Sequence, residues 1–206
     1  MIEKIEQSTA NRIKLVTDLL NPQNFNRTQK ELEEFLLLCI FVAGKSSKIQ
    51  FNKLEDFVNL LPPTETYFES LSKLSIAEIK NKLMEVKTGQ YDRLSGCLFI
   101  LSRKNLDLKQ CTCEELEAIP GIGFKTSRFF VTYSRPTTNY AILDVHILAW
   151  LKTKYPKTPK ATPSNKKEYL KYEQYFLDEC AKLDLTPQEL DIQIWRERQK
   201  SWVTQN

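Results

Sequence analysis

Between Gln29 and Ala43 the chain carries apolar side chains at Leu32, Phe35, Leu36, Cys39, Ile40, Val42 and Ala43. At helical spacing these leave almost no polar face for water, so the segment has to be a helix surrounded on most sides by other elements. Only a fold with several further helices packed round a central one can bury it. The rest of the chain supplies them. Glycine occurs five times in 206 residues, strand-like alternation is nearly absent and 3.6-residue periodicity is everywhere. The expected fold class is therefore all-α, with further helices near residues 2–20, 50–60, 64–72, 75–86, 90–103, 112–118, 124–134, 144–153, 165–182 and 186–200.

Local signals fix several boundaries. Pro62-Pro63 ends one helix and Thr64 is placed to cap the next. Ser75-Ile-Ala-Glu78 and Thr112-Cys-Glu-Glu115 read as capping boxes, and Thr186-Pro187-Gln-Glu189 sets proline at a first helical position behind a threonine cap. Tyr155 to Ser164, with Pro156, Pro159 and Pro163, resists helix and reads as a loop.

Composition excludes several classes. With 41% hydrophobic and 27% charged residues, intrinsic disorder is not expected. The longest apolar run, residues 35–44, is too short to span a bilayer, and acids rather than bases precede it, so neither a membrane anchor nor a signal peptide is expected. That reading places the protein inside the cell, in cytoplasm or nucleoid, or in a nucleus. The five cysteines, at 39, 97, 111, 113 and 180, have no four-ligand spacing, and His146 is the sole histidine, so reduced thiols and no metal site are expected. Net charge is only +4, but Lys152 to Lys171 holds seven lysines against the single Glu168, which makes one face positive.

One segment differs in kind. Pro120-Gly121-Ile122-Gly123 lies between two short helical patterns, with Ile119 and Ile122 apolar enough to pin a tight helical hairpin. Its glycines let backbone amides approach an anion closely, and a phosphate is the natural guest. Lys125 follows two residues later in a helical first turn, where a cation opposes the helix dipole. A dipole and a cleft both favour the neutral amine that nucleophilic attack requires. Asp144 heads Asp144-Val-His-Ile-Leu-Ala-Trp-Leu151 after an apolar stretch. It reads as a helix cap and, because one helix and a reversal at Ser134-Arg135-Pro136 separate it from Lys125, also as a carboxylate returned to the lysine's neighbourhood. His146, two residues on, is placed to hydrogen-bond a phosphate.

Taken together, Leu116-Glu-Ala-Ile-Pro-Gly-Ile-Gly-Phe-Lys-Thr-Ser127 followed by Ile142-Leu-Asp-Val-His-Ile-Leu148 resembles the helix-hairpin-helix (HhH-GPD) DNA glycosylase superfamily. The chain is most similar to the short 8-oxoguanine DNA glycosylases of the second group, in length, in lacking cluster cysteines and in its Leu190-Asp-Ile-Gln-Ile-Trp195 helix. The resemblance implies two helical subdomains flanking a DNA-binding cleft within a single 1–206 unit. The first comprises about 30–135 with the hairpin at 115–134; the second comprises 1–29 with 136–206. It implies that Lys125 is the nucleophile and Schiff-base residue, that Asp144 is the catalytic carboxylate, and that Gly121, Ile122 and Gly123 hold the DNA backbone through hairpin amides.

The implied activity is excision of an oxidised purine, 8-oxoguanine, from duplex DNA by base flipping, imine formation and β-elimination. The implied agent is a monomer without a cofactor, except for a monovalent cation that such hairpins can accommodate. An oxidised-pyrimidine glycosylase of the endonuclease III type shares the same chemistry, and a non-catalytic DNA-binding module would use the hairpin and lysines alone. The loop after the core helix departs from the relatives, which carry a glutamine or asparagine there that enters the vacated stack. Here Lys45, Ser46 and Lys48 are placed for phosphates, and Gln50, Phe51 or Asn52 for the plug. Phe41, Trp195 and Trp202 are the aromatic candidates for stacking on a flipped base.

Overall fold

The computed structural model describes residues 24–45 and 47–203. Its elements are α1 (Gln29–Phe41), α2 (Ser47–Asn59), α3 (Tyr67–Ser72), α4 (Ile76–Glu85), α5 (Tyr91–Leu101), α6 (Cys113–Glu117), α7 (Phe124–Ser134), α8 (Val145–Lys154), α9 (Lys166–Leu183) and α10 (Pro187–Val203). No strand occurs among the described residues, and none of their helices is long and apolar enough to cross a membrane. The helix expected at 2–20 lies outside the described residues.

α1 is the central helix the sequence demands. Phe35, Leu36, Leu37 and Ile40 are wholly buried, and each such side chain contributes about 1.5–3 kcal/mol of transfer free energy. The helix starts at a capping box the sequence reading passed over, in which Thr28 accepts from the Glu31 amide while Glu31 returns to the Thr28 amide. Phe35 meets Phe129 edge-on and Phe130 at a tilt, each with centroids 5.7 Å apart, so α1 packs directly on α7.

The capping boxes at Ser75 and Thr112 are present, as is the Thr186 cap with Pro187 at the first helical position. Two boundaries differ. Thr66, not Thr64, caps α3 by accepting from the Glu69 amide, while the Thr64 hydroxyl donates to the Thr66 carbonyl. α2 begins at Ser47, so Lys48 belongs to a helical turn rather than a loop.

The apolar residues form two clusters. The larger draws on α1 to α7 and closes with Ile142; the smaller joins Ala141 and Leu143 to Leu148, Tyr169, Phe176, Leu190 and Ile194 from α8, α9 and α10. Neighbouring residues of the extended segment 141–143 thus face opposite clusters, as alternation along an extended backbone requires. All five cysteines are free and buried.

Candidate active site

The site begins with the hairpin. α6 ends at Glu117, and the turn closes as the Ile119 amide donates to the Leu116 carbonyl and the Ile122 amide to the Ile119 carbonyl, both at 3.0 Å. Gly121 sits at φ +97°, and a Cβ there would stand 3.0 Å from the Cβ of Cys97. Glycine is required on both counts. Arg93 of α5 fastens the turn to the core by donating to the Gly121 carbonyl (2.8 Å) and to the Ile40 carbonyl at the end of α1 (3.1 Å). Gly123 is the N-cap of α7 and offers no capping side chain, so the first-turn amides of that helix face outward without an acceptor from it.

Ile122 needs a correction. Its side chain is buried in the larger cluster and its amide donates to the Ile119 carbonyl, so the side chain pins the turn and that amide is not free for a phosphate. Gly123 is exposed and Gly121 half-buried.

Lys125 lies half-buried in the first turn of α7. Phe129 and Tyr133 follow it at intervals of four along one face, their rings meeting edge-on at 5.5 Å. Arg128, one turn after Lys125, is 1% exposed and carries the site's architecture. It pairs with Glu117 of α6, donates to Glu173 of α9 at 3.1 Å, and lies 5.0 Å from the Tyr169 ring centroid. The same Glu173 oxygen accepts the Ala141 amide at 3.0 Å. Tyr169 accepts from the Leu143 amide (3.2 Å) and donates to the Ala141 carbonyl (2.8 Å), while Thr162 donates to the Leu143 carbonyl (2.7 Å). These bonds fix the residues leading into Asp144 and tie them through Glu173 and Arg128 to the helix bearing Lys125.

Asp144 caps α8, its Oδ1 accepting the amides of His146 (2.8 Å) and Ile147 (2.9 Å). Among the described residues no hydrogen bond takes up Oδ2. The structural cap and the free carboxylate oxygen therefore coexist in one side chain. His146 is half-buried on that first turn.

A third acid, missed in the sequence, completes the arrangement. Asp191 of α10 accepts a 2.5 Å hydrogen bond from the Tyr133 hydroxyl at Oδ2. Burial, followed by the negative charge of Asp144, raises its pKa to about 7, against the lowering influence of the Tyr133 hydrogen bond and the charge of Lys125. The charges of Asp144 and Lys125 thus both act on the Asp191 carboxyl. Burial likewise raises Tyr133, helped by Asp191 and Asp144. The available signal was an acid on the same helix as buried Leu190 and Ile194, but only its long-range contact with Tyr133 gives it meaning.

Other expected residues fall elsewhere. Phe41 is 1% exposed and packs on Phe57 at 5.5 Å, so it belongs to the core and offers no face to a base. Trp195 is 40% exposed, one turn along α10 from Asp191. Gln50 is buried with its amide directed to the Thr88 carbonyl (3.4 Å), which removes it as a plug; Phe51 is half-buried and Asn52 exposed. Lys45 is exposed beside Gly89, where an added Cβ would come within 3.2 Å of its Nζ. The side chains of Lys48 and Trp202, and Ser46 entirely, lie outside the described residues. The lysines from Lys152 to Lys171 are all exposed, with Lys154 paired to Glu179 (2.9 Å) and Lys166 to Glu114 (3.5 Å).

Comparison with known proteins gives a consistent picture. No family model matches the chain. It is 26% identical to an 8-oxoguanine DNA glycosylase/AP lyase of Thermoplasma acidophilum over 187 residues, covering 85% of this chain and 84% of the relative. It is 28% identical to that of Thermoplasma volcanium over 183 residues, covering 83% and 82%. Its fold matches the Methanocaldococcus jannaschii 8-oxoguanine glycosylase/lyase in complex with a 15mer DNA containing 8-oxoguanine, with a TM-score of 0.67, 21% identity and 97% of each chain covered. It also matches the 8-oxoguanine DNA glycosylase of Thermotoga maritima, with a TM-score of 0.64, 21% identity and coverage of 94% and 91%.

Proposed function

We propose that this chain, which shares its fold with 8-oxoguanine DNA glycosylases along nearly its whole length, is itself a bifunctional 8-oxoguanine DNA glycosylase/AP lyase of base excision repair. The observation that carries the reading is the bracing of Lys125 against Asp144 through Arg128, Glu173 and Ala141, at the exit of a phosphate-binding hairpin.

The reaction follows from that geometry. The amides of Gly121 and Gly123 and the first turn of α7 hold a backbone phosphate, with His146 and Lys45 on neighbouring ones. The damaged nucleotide leaves the stack, because its sugar carbon cannot be reached inside the duplex. Neutral Lys125 Nζ attacks C1′, and the glycosidic bond breaks with its electron pair going to the base. The free oxygen of Asp144 faces the positive charge that develops on the sugar. Ring opening gives the imine between Nζ and C1′, loss of the proton at C2′ follows, and the 3′ phosphate departs by β-elimination. Trp195, with its exposed face, is the aromatic left to stack on the flipped base. The enzyme acts as a monomer on damaged duplex DNA, with the lysines of 152–171 bordering it.

The test is borohydride trapping on a duplex with one 8-oxoguanine opposite cytosine. A covalent protein–DNA adduct, absent in Lys125→Gln, is the expected result. An adduct on thymine glycol but not on 8-oxoguanine would move the substrate to oxidised pyrimidines, and no adduct on any duplex would leave only a DNA-binding module.

A further inference from the structure

The segment between α8 and α9 is pinned to the protein at both of its ends. At the α8 end the Thr158 amide and hydroxyl both donate to the Tyr155 carbonyl (2.9 and 2.7 Å), and the Tyr172 hydroxyl of α9 donates to the Lys157 carbonyl (2.8 Å). At the other end Thr162 donates to the carbonyl of Leu143 (2.7 Å), the residue immediately before Asp144. The segment therefore runs back along α8, from its C-terminus to its N-terminus, and finishes beside the candidate catalytic carboxylate.

We propose that Lys160, carried by this strap to the rim beside Asp144, is a ligand for a backbone phosphate next to the flipped nucleotide, and that Thr162 is the residue that positions it. The proposal rests on the glycosylase/lyase reading of the preceding section and names one of its DNA contacts.

Burial along the strap sets which residues it presents. Thr158 is 3% exposed and Pro163 is buried, whereas Lys160 and Ala161 between them are exposed. Pro156, Pro159 and Pro163 fix φ along the same stretch, so the exposed crest is ordered before DNA arrives and little conformational entropy is lost on contact. Lys160 is two residues from Thr162, hence within about 7 Å of it along the backbone. Each strand of a duplex carries a phosphate about every 3.4 Å of its axis, so a sugar held at Asp144 has phosphates at that range. The four-carbon stem of the lysine covers the remainder. On the other side of Asp144, Val145 is 59% exposed, so the rim there is open to a duplex.

Several other lysines of the stretch have partners within the protein. Lys154 pairs with Glu179 (2.9 Å), Lys166 with Glu114 (3.5 Å), and Lys171 lies 5.3 Å from the Tyr172 ring centroid and 5.7 Å from that of Tyr175. Lys152 stands toward the far end of α8, about 12 Å from Asp144 at the helical rise, and Lys157 is pinned at that same end. Among the described residues no ion pair takes up Lys160, and its ammonium is available to a phosphate.

The experiment measures binding of the full chain to a duplex with one tetrahydrofuran abasic site opposite cytosine, which cannot form an imine, over a range of salt concentrations. Borohydride trapping of the parent on an 8-oxoguanine duplex runs beside it. One phosphate contact contributes about 0.9 to the slope of log K against log salt, and thus about eightfold in affinity at ~0.1 M. Lys160→Ala is expected to lose both and Lys160→Arg to keep them. Lys152→Ala and Lys157→Ala remove the same charge at the far end of the strap and leave the slope unchanged, because screening confines a lysine's effect to its own neighbourhood. Thr162→Val releases the end beside Asp144, so the slope falls toward that of Lys160→Ala, and Thr162→Ser restores it.

An unchanged slope in Lys160→Ala, or an equal loss in Lys152→Ala or Lys157→Ala, overturns the proposal, while an adduct with the parent leaves the glycosylase/lyase reading in place. Thr162→Val with the slope of the parent removes the positioning role. A parent that forms no adduct removes the reading itself, and this proposal with it.

Discussion

Replacing Arg128 with methionine would test whether the brace across the site is also what holds its two apolar clusters in register. Arg128 and Glu173 are 1% and 5% exposed, and Arg128 also pairs with Glu117. The substitution conserves much of the volume but leaves Glu173 with only the Ala141 amide and Glu117 with the Ser127 hydroxyl and distant Lys166. Removing one partner from a buried ion pair costs about 3–5 kcal/mol, because the other charge stays in place uncompensated. In a chain of this size each kcal/mol shifts Tm by about 2–4 °C, so a drop of roughly 6–20 °C at neutral pH is expected.

The loss should also depend on pH. Burial already raises the Glu173 pKa despite Arg128, and without the guanidinium it rises further. A carboxyl whose folded pKa lies above the unfolded one favours the folded state while protonated, and that contribution disappears as pH climbs through the folded pKa. The deficit should thus be largest at neutral pH and narrow as pH falls toward the ordinary glutamate value of 4.5. Thermal unfolding followed by circular dichroism at several pH values reads both effects. A Tm change under about 3 °C at neutral pH, or a deficit identical at all pH values, would refute the assignment of the brace.

Asp144→Asn should separate the two tasks of that residue. Asparagine caps helices as well as aspartate, so Tm should stay within about 4 °C, while single-turnover excision falls roughly 10²- to 10⁴-fold. Gly121→Ala should lower stability by about 1–3 kcal/mol in denaturant titration, given φ +97° and the 3.0 Å approach to Cys97. Gly123→Ala meets nothing within 4 Å, so it should leave stability intact yet weaken DNA binding about tenfold by placing a methyl group before the phosphate.

The helices were legible because their causes are local. α1 could be read from its unbroken apolar surface, and the starts of α4, α6 and α10 from a threonine or serine three residues before glutamate. The place of Lys125 in a helical first turn and the Asp144 cap were legible because a turn and a cap each leave a short signature. Asp191 and Arg128 left none, since their roles depend on partners 58 and 45 residues away in Tyr133 and Glu173. Phe41 misled because an aromatic at the end of a core helix has the same sequence signature whether it turns inward or outward. Gln50 misled because α2 starts earlier than its apolar spacing suggests, which turns that side chain into the protein.

The five buried thiols bear on the conditions under which such an enzyme works. An 8-oxoguanine lesion arises where oxidants are present, and cysteine oxidation proceeds from the exposed thiolate. Burial raises every cysteine here, with Cys97, Cys113 and Cys180 each pushed up to about 12, so that the thiol form prevails at neutral pH. Cys39 and Cys111 are raised by burial as well. The sulfur is sequestered in the core. Oxidants that reach this chain from solvent therefore meet no exposed cysteine thiol.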